Sequence, residues 1–297
     1  MVVLICDFDE TITSQDTIGL LAKLPYVDPP FPPPWSHFTA TYADGYSLYE
    51  RAPRSLPLLD PHTPLTAANY RQLLQAEIRY QDSLRPIELH SVHELERLHA
   101  FAGIPTEQVA TYAHSLCQIV RQDFLPLWRR ASQLHILSVN WSHEFIKDII
   151  YSAARHSLDD PENLPVPIIK CNNLLVRNGS YTGLFDKSIL TGADKLASLE
   201  KTLHSIPSDE PVWYIGDSET DLLSILHPKV NGVLLLDPSQ NYDKFNKIAA
   251  TILGLDLAST QKFACDPYQQ SWSIPCKGNG SHFYLVKSWT ALSRIIR

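Results

Sequence analysis

The sequence has few of the features that mark secreted, zinc-finger and membrane proteins. Its five cysteines stand far apart, at positions 6, 117, 171, 265 and 276, and no two of them form a CxxC pair. An odd and scattered set of this kind supports neither a disulfide framework nor a zinc knuckle. No apolar run is long enough for a signal-peptide core or a membrane span. We therefore expect a protein of the reducing cytoplasm that has no membrane partner.

Blocks of basic residues are also missing, and the formal net charge of the 297 residues is −7. A nucleic-acid partner is not expected, because binding to phosphate backbones needs a basic patch. The sequence contains neither a GxSxG elbow nor an HExxH pair, which argues against a serine hydrolase and a zinc peptidase. The apolar content of 44% is enough for a folded core in one large domain or two smaller ones.

The order of apolar patterns predicts an α/β fold. Residues 2–6 form a continuous aliphatic run that ends in Asp7, as is typical of a parallel strand buried on both faces. Further strand patterns lie at 134–138, 168–169, 212–215 and 232–236 and alternate with helical patterns. This alternation predicts a doubly wound, Rossmann-like parallel sheet.

A long insertion separates the first strand from the next. It contains a proline-rich stretch from Pro25 to Pro64 and then helical patterns at 66–80, 87–100 and 106–121. Prolines at that density are expected to exclude long regular elements. The insertion is therefore predicted to be a separate, mainly helical module with an irregular first part.

Two carboxylates follow the first strand directly, in Asp7-Phe8-Asp9-Glu10-Thr11. Ligands of a doubly wound sheet bind outside the carboxyl ends of its strands, so both acids are expected in a crevice there. One carboxylate can attack phosphorus while the other transfers the proton of the leaving group. An isolated DxD motif more often caps a helix, and the prediction therefore depends on what lies nearby.

A second acidic cluster strengthens the prediction. The strand at 212–215 ends in Gly216-Asp217 and is followed by Asp221. Carboxylates from two neighbouring strand ends would form an anionic pocket, which suits Mg²⁺ with oxygen ligands and a bound phosphate.

Phosphoryl transfer also needs positive charge and hydrogen-bond donors around the phosphate. Ser138 ends the strand at 134–138, and Lys195 lies in the first turn of a helix that begins with the capping pair Thr191 and Asp194. Lys170 and Lys187 are alternative candidates for the lysine, but the position of Lys195 at a helix start favours it.

Together these motifs resemble the haloacid dehalogenase (HAD) superfamily, and within it the phosphoserine phosphatase-like branch that has a C1-type cap. The matching residues are Asp7, Asp9, Thr11, Ser138, Lys195, Gly216, Asp217 and Asp221. The resemblance implies a core of residues 1–17 and 128–297 and an inserted helical cap of residues 18–127. The proline-rich segment of the cap would then face the substrate or lie next to a hinge.

The resemblance also assigns roles to the matching residues. Asp7 would be the nucleophile and Asp9 the general acid and base. Ser138, Lys195 and Thr11 would bind the phosphate. The Mg²⁺ ligands would come from Asp7, Asp9 through its backbone carbonyl, Asp217 and Asp221. Asp16 matches the place of a substrate-reading glutamate in phosphoserine phosphatases, although helix capping explains it equally well.

The expected function is thus hydrolysis of a small phosphorylated metabolite, with Mg²⁺, through an aspartyl-phosphate. A phosphotransferase or mutase on the same scaffold and a non-catalytic regulatory relative are the alternatives. Asp9 argues against a dehalogenase, because dehalogenases have no second acid at that position.

Overall fold

A computed structural model of the chain describes residues 2–27, 31–207, 209–278 and 280–296. Within these ranges the strands, in chain order, are β1 Val3–Cys6, β2 Gln133–Leu137, β3 Ile168–Lys170, β4 Asn173–Arg177, β5 Ser180–Asp186, β6 Val212–Gly216, β7 Asn231–Leu235, β8 Ser271–Ile274 and β9 Phe283–Val286. None of the helices in the described ranges has the length and apolarity needed to cross a membrane.

The helices, in the same order, are α1 Ile18–Leu21, α2 Trp35–Leu48, α3 Tyr70–Leu73, α4 Gln75–Ser83, α5 Arg85–Arg97, α6 Thr106–Ser115, α7 Leu125–Arg130, α8 His143–Ser157, α9 Gly192–Leu203, α10 Leu222–Ile225, α11 Tyr242–Asn246, α12 Leu257–Cys265 and α13 Trp289–Ile295. A π-helical turn, Lys247–Ile252, continues α11.

Seven strands form one sheet in the order β3-β2-β1-β6-β7-β9-β8 among the described residues. All pairings are parallel except that of β8 with β9 at one edge. The chain builds outward from β1 in one direction through β2 and β3, and then in the other direction from β6. The sheet therefore reverses between β1 and β6, and the carboxyl ends of these two strands flank the crevice of a doubly wound fold. The predicted fold class is confirmed.

Strand β1 is buried on both faces, as its continuous aliphatic run predicted. Leu4 and Cys6 pack into one apolar cluster, whereas Val3 and Ile5 pack into the other. Since side chains alternate along a strand, each face of the sheet is covered by its own layer of helices. Helix α8 covers the first face and α9 covers the second.

The expectation of a wholly irregular proline-rich segment is wrong. Helix α2 runs for 14 residues inside it, from Trp35 to Leu48. Pro34 lies at the N-cap position of this helix, and no proline follows until Pro53. A proline disrupts the interior of a helix but is tolerated at its start, so prolines 32–34 precede α2 without interrupting it.

The later part of the proline-rich segment packs on the core and away from the strand ends. Leu58 donates a backbone hydrogen bond to Ile252 (2.8 Å), and Leu65 donates one to Cys276 (2.8 Å). Leu58, Leu59 and Leu65 are buried in the same apolar cluster as α9. These contacts argue against a substrate-facing position for this part, and the alternative, that the segment lies next to a hinge, stays a prediction. The domain boundaries at residues 17 and 128 stay a prediction.

The region after residue 252 completes the sheet and supports the first motif. It supplies β8 and β9. At the start of α13, the indole Nε1 of Trp289 donates to the backbone carbonyl of Thr11 (2.9 Å). This hydrogen bond holds the loop after β1 from the C-terminal side of the chain.

Candidate active site

Asp7 lies at the crevice between β1 and β6. Cys6 pairs with Ile136 of β2 on one side and with Ile215 of β6 on the other. The backbone N–H of Asp7 donates to the carbonyl of Ile215 (2.8 Å), so the strand pairing continues up to the carboxylate. The same edge of the sheet therefore presents Asp7, Ser138 and Asp217, as the strand patterns predicted.

Lys195 is the buried cation of this site. Its side chain is 0% exposed, and its Nζ lies 2.9 Å from Asp7 Oδ1 and 2.8 Å from Asp221 Oδ1. Burial by itself would lower the pKa of Lys195, but the carboxylates of Asp221 and Asp7 outweigh it and raise that pKa above its ordinary value. The lysine is therefore held charged between two carboxylates.

The two alternative lysines make other contacts. Lys170 Nζ donates to the hydroxyl of Thr202 (3.0 Å), and Lys187 Nζ donates to Glu96 (2.6 Å). Of the three candidates, Lys195 is the one that contacts Asp7. The capping box of Thr191 and Asp194 begins α9, as predicted, and places Lys195 in its first turn.

Asp221 holds Lys195 in place. Besides Lys195, its Oδ1 accepts from the hydroxyl of Tyr214 (2.9 Å), and its Oδ2 accepts from the hydroxyl of Ser218 (2.7 Å). A Cβ atom at Gly216 would lie 2.3 Å from Asp221 Cγ, which explains why glycine occupies this position of the motif. With both oxygens occupied, Asp221 fits the positioning of Lys195 better than direct contact with a metal ion.

Asp217 is held by a hydroxyl on one oxygen and by an ammonium on the other. Thr11 donates to its Oδ1 (2.9 Å), and Lys244 of α11 contacts its Oδ2. The Lys244 Nζ also lies 2.6 Å from Glu10 Oε2. Thr11, predicted to bind phosphate, is therefore engaged by the carboxylate of Asp217.

Three of the predicted metal ligands lie together. Asp7, Asp217 and Asp221 are all buried and each offers a carboxylate oxygen within 4.8 Å of the others. Burial raises the pKa of Asp7, and the neighbouring carboxylates Asp221 and Asp217 raise it further, against the opposing effect of Lys195. Within the described part of the chain, Asp7 Oδ1 receives no aligned hydrogen bond in spite of the nearby Lys195. An all-oxygen set with excess negative charge fits a hard cation such as Mg²⁺.

The Asp9 carboxylate lies outside this triad and has its own hydrogen-bond partners. Its Oδ1 accepts from the backbone N–H (2.6 Å) and the hydroxyl (2.5 Å) of Thr17, and its Oδ2 accepts from the side-chain amide of Asn140 (3.0 Å). Burial raises the pKa of Asp9 to about 6, despite the lowering effect of these bonds. A carboxyl group with such a pKa exchanges protons near neutral pH, as a general acid and base must.

Ser138 lies just past the end of β2 and is fully buried. Its backbone N–H donates to the carbonyl of Lys170 (3.0 Å), and its hydroxyl accepts from the backbone N–H of Asn140 (3.0 Å). The hydroxyl proton is therefore available to an acceptor at the strand end.

The capping interpretation of Asp16 is observed. Its Oδ1 accepts from the N–H of Ile18 and its Oδ2 from that of Gly19, both at 3.0 Å. Asp16 also lines a cavity between α2, α5 and the strand ends, so the two interpretations are compatible.

Several residues near the predicted set were missed. Asn140 and Thr17 bind the Asp9 carboxylate, Tyr214 binds Asp221, and Lys244 contacts Asp217. The position of Asn140, two residues beyond the strand-end serine, was a signal that could have been used. Lys244 lies in a region of the sequence without a recognisable motif, and only the fold brings it to the site.

The class of scaffold follows from this arrangement. The motifs lie at the ends of β1, β2 and β6 and at the start of α9, in the order that the HAD superfamily has along the chain. The recognition made from the sequence is confirmed by the strand order and by the place of the motifs on it. The chain has an α/β scaffold with the HAD-type arrangement of strands and motifs.

Comparison with curated proteins gives the family. The chain is 40% identical over 319 aligned positions to Cold tolerance protein 1 of Saccharomyces cerevisiae, covering 99% of this chain and 97% of that protein. It is 26% identical to the CTO1 family protein C17G9.12c of Schizosaccharomyces pombe, over 98% and 97% of the two chains. The chain belongs to the Cold tolerance protein 1 family.

No protein-family model matches the chain. Among solved structures, it is similar to a phospho-aspartyl intermediate analogue of phosphoserine phosphatase, with 14% identity and a TM-score of 0.41 over 88% of this chain and 98% of that one.

Proposed function

We propose that the protein is a Mg²⁺-dependent phosphatase that hydrolyses a small phosphomonoester through an aspartyl-phosphate at Asp7. The observation that carries the proposal is the placement of Asp7 at the crevice, 2.9 Å from the fully buried Lys195 and beside Asp217 and Asp221. A buried carboxylate with a fixed counterion, whose Oδ1 receives no aligned hydrogen bond from the described residues, is suited to attack.

In the first half of the reaction, a carboxylate oxygen of Asp7 attacks phosphorus and the bond from phosphorus to the ester oxygen breaks. The leaving oxygen takes its proton from Asp9, which Thr17 and Asn140 hold in a fixed orientation. A pKa of about 6 leaves Asp9 able to donate near neutral pH. Lys195 and Ser138 supply charge and a hydroxyl donor to the phosphoryl oxygens.

In the second half, a water molecule attacks the phosphorus of the aspartyl-phosphate. Asp9, now ionised, takes the proton of this water, the bond between phosphorus and Asp7 breaks, and inorganic phosphate leaves. The same carboxyl thus acts first as acid and then as base, and both carboxylates return to their starting state.

Asp7 and Asp217 are the side chains proposed to hold the metal ion, together with the Asp9 carbonyl, while Asp221 acts through Lys195 or a bridging water. When bound, Mg²⁺ offsets the repulsion between these carboxylates and the phosphate and so favours the ionised form of Asp7. Residues 18–127 are proposed as the cap that closes the site and excludes bulk water.

The experiment measures phosphate release from p-nitrophenyl phosphate with and without Mg²⁺, and the mass of the Asp7 peptide after acid quenching. We expect Mg²⁺-dependent turnover and a phosphorylated Asp7 peptide. Asp7→Asn should abolish both and leave the folded circular dichroism spectrum unchanged, because the amide is a poor nucleophile of nearly the same shape.

The matched control is Asp44→Asn, at an exposed position of α2, which should behave as wild type. Turnover in Asp7→Asn, after deamidation is excluded by mass, would refute the nucleophile. Transfer of phosphate to an added alcohol in preference to water would favour the phosphotransferase alternative, and a Mg²⁺-bound but inactive wild type would favour the regulatory one.

A further inference from the structure

A cavity of about 500 Å³ lies between the helices of the insertion and the strand ends. Helices α2 and α5 form one wall, and the start of α1 with the loops that follow β2, β3, β5 and β6 forms the other. Three of the lining residues are chain neighbours of residues in the candidate site: Val139 follows Ser138, Thr220 precedes Asp221, and Asp16 precedes Thr17. The cavity therefore opens beside the proposed phosphate position, where the rest of a phosphomonoester would lie.

Aromatic rings line this cavity. Trp35 and Phe38 of α2 have ring centroids 5.4 Å apart, and Trp35 meets Trp141, from the loop after β2, edge to face at 6.3 Å. Phe38 and Trp141 are almost fully buried. Such a wall favours an apolar or aromatic guest, because it removes hydrocarbon surface from water.

The charged residues among the described lining of this cavity are both acidic, Asp16 and Glu88. Glu88 Oε1 accepts from the hydroxyl of Tyr42 (3.0 Å), and within the described residues no donor reaches its other oxygen. No lysine or arginine belongs to the described lining. Arg85, at the start of α5, is engaged by Asp82 and Asp194.

From this lining we infer the class of substrate: a phosphomonoester whose alcohol or phenol part has an apolar or aromatic body, carries a positive charge and has no second anionic group. The inference rests on the proposed function and extends it. The ammonium of the guest would lie between Glu88 and the rings of Trp35 and Tyr42, where a carboxylate and π-faces both attract a cation.

The same lining disfavours a second anion. A carboxylate or second phosphate in the cavity would meet Asp16 and Glu88 without a basic partner, and like charges at short range in a partly dry cavity repel strongly. Amino acid phosphates with a free carboxylate and bisphosphates are therefore expected to be poor substrates.

The test uses four phenyl phosphates of similar leaving-group chemistry, so that differences report on the cavity. Phenyl phosphate is the neutral reference, 4-(2-aminoethyl)phenyl phosphate adds an ammonium, 3-(4-phosphonooxyphenyl)propionate adds a carboxylate, and phosphotyrosine adds both. We expect kcat/KM for the aminoethyl compound to exceed that of phenyl phosphate by about tenfold or more. The propionate should fall below the reference, and phosphotyrosine below the aminoethyl compound.

Two variants locate the effect in the cavity. Glu88→Gln keeps the acceptor for Tyr42 and should lower the ratio of kcat/KM between the aminoethyl compound and phenyl phosphate about tenfold, mainly through KM. Thr39→Lys adds a positive charge at the exposed rim of the cavity on α2 and should lower the same ratio, whereas Thr39→Gln should not. Glu107→Gln, at an exposed position of α6, is the control for Glu88→Gln and should leave the ratio unchanged.

A preference for the propionate or phosphotyrosine, or a ratio that neither Glu88→Gln nor Thr39→Lys changes, would overturn the inference while leaving the proposed function intact. Absence of Mg²⁺-dependent turnover of all four compounds would overturn both. Binding of tyramine to the Asp7→Asn variant, followed by the fluorescence of Trp35 and Trp141, provides a readout without turnover. Equal affinity for tyramine in Asp7→Asn and in Asp7→Asn with Glu88→Gln would also refute the inference.

Discussion

The ammonium of Lys244 contacts the same carboxylate, that of Asp217, which the motif resemblance assigns to the metal ion. A second carboxylate, Glu10, accepts from the same ammonium at 2.6 Å. Lys244 reaches the site from α11, after the last motif, and its pKa is raised by Asp217 and Glu10 against the lowering effect of burial. A positive charge of the chain itself therefore stands where a metal ion would compete for the same oxygen.

Lys244→Met should strengthen the binding of Mg²⁺. Removing a cation a few ångströms from the ligands lowers the repulsion on an incoming divalent ion, and a gain of about tenfold corresponds to about 1.4 kcal/mol. Isothermal titration calorimetry of Mg²⁺ into wild type and into the variant measures the two dissociation constants. Lys247→Met is the matched control, because Lys247 pairs with Glu219 and is largely exposed. Unchanged or weaker Mg²⁺ binding in Lys244→Met would contradict the competition.

Asp9→Asn should lower kcat/KM, which reports the formation of the aspartyl-phosphate, by roughly 10²–10⁴-fold for alkyl phosphates, the usual contribution of a general acid and base. The loss should be smaller for p-nitrophenyl phosphate, whose leaving group needs no proton. Steady-state kinetics with both substrates gives the comparison. Thr17→Val removes the hydroxyl bond to Asp9 but keeps the backbone N–H. It should cause a smaller loss, which is again larger for alkyl phosphates than for p-nitrophenyl phosphate. An equal loss for both leaving groups would argue against proton donation by Asp9.

Arg54 links the insertion to the turn after β6, at Glu219, through ion pairs. Its guanidinium bonds Glu77 at 2.6 and 2.8 Å and Glu219 at 2.6 Å, and the side chains of Arg54 and Glu77 are 12% and 0% exposed. The guanidinium of Arg54 is therefore engaged by carboxylates of the chain itself.

Arg54→Met should therefore destabilise the fold by about 3 kcal/mol, because it leaves Glu77 buried without a counterion. Urea unfolding followed by circular dichroism measures the change. Arg51→Met is the comparison, since Arg51 is exposed and lies over the ring of Tyr46 at 5.3 Å; we expect a loss of about 0.5 kcal/mol or less there. A loss below about 1 kcal/mol for Arg54→Met would show that the pair is better hydrated than its burial indicates.

The sequence predicted the sheet and the clustering of the candidate residues at the strand ends, because both depend on local patterns. The aliphatic run before Asp7 and the strand that ends in Gly216 can each be recognised from consecutive apolar residues and from the glycine or acidic residues at which the run ends. Lys195 could be chosen over Lys170 and Lys187 because a capping box marks the helix start.

What the sequence did not predict depends on long-range packing. Lys244 and Asp217 are 27 residues apart and Trp289 and Thr11 are 278 apart, and no local pattern records either contact. Helix α2 was not predicted because the prediction was made from the proline content of the whole stretch. The 14 residues of α2 themselves contain no proline. The aromatic cavity is likewise assembled from α1, α2, α5 and several loops that only the fold brings together.

The half-buried Glu88 should make stability depend on pH. Burial raises the pKa of Glu88 to about 7, above an ordinary value of 4.5, against the lowering effect of the Tyr42 hydrogen bond. Below pH 4.5 the group is protonated in the folded and unfolded states alike. As pH rises from 4.5 through 7, the unfolded state loses this proton first, so the contribution to stability is lost across that window.

Glu88→Gln removes the titration of this carboxyl but keeps an acceptor for the Tyr42 hydroxyl. The other ionisable groups of the described cavity lining, Asp16 and Tyr42, are the same in the variant and in wild type. The variant should thus be about 2 kcal/mol more stable than wild type at pH 8, with the difference vanishing near pH 4.5. Urea unfolding at both pH values measures it, with Glu107→Gln on α6 as the matched control. An advantage of Glu88→Gln that is equal at both pH values would show that Glu88 ionises as freely in the folded chain as in the unfolded one. If the advantage at pH 8 instead disappears when tyramine is added to wild type, the stability cost of the half-buried carboxylate is offset by the same kind of cation that the cavity is inferred to bind.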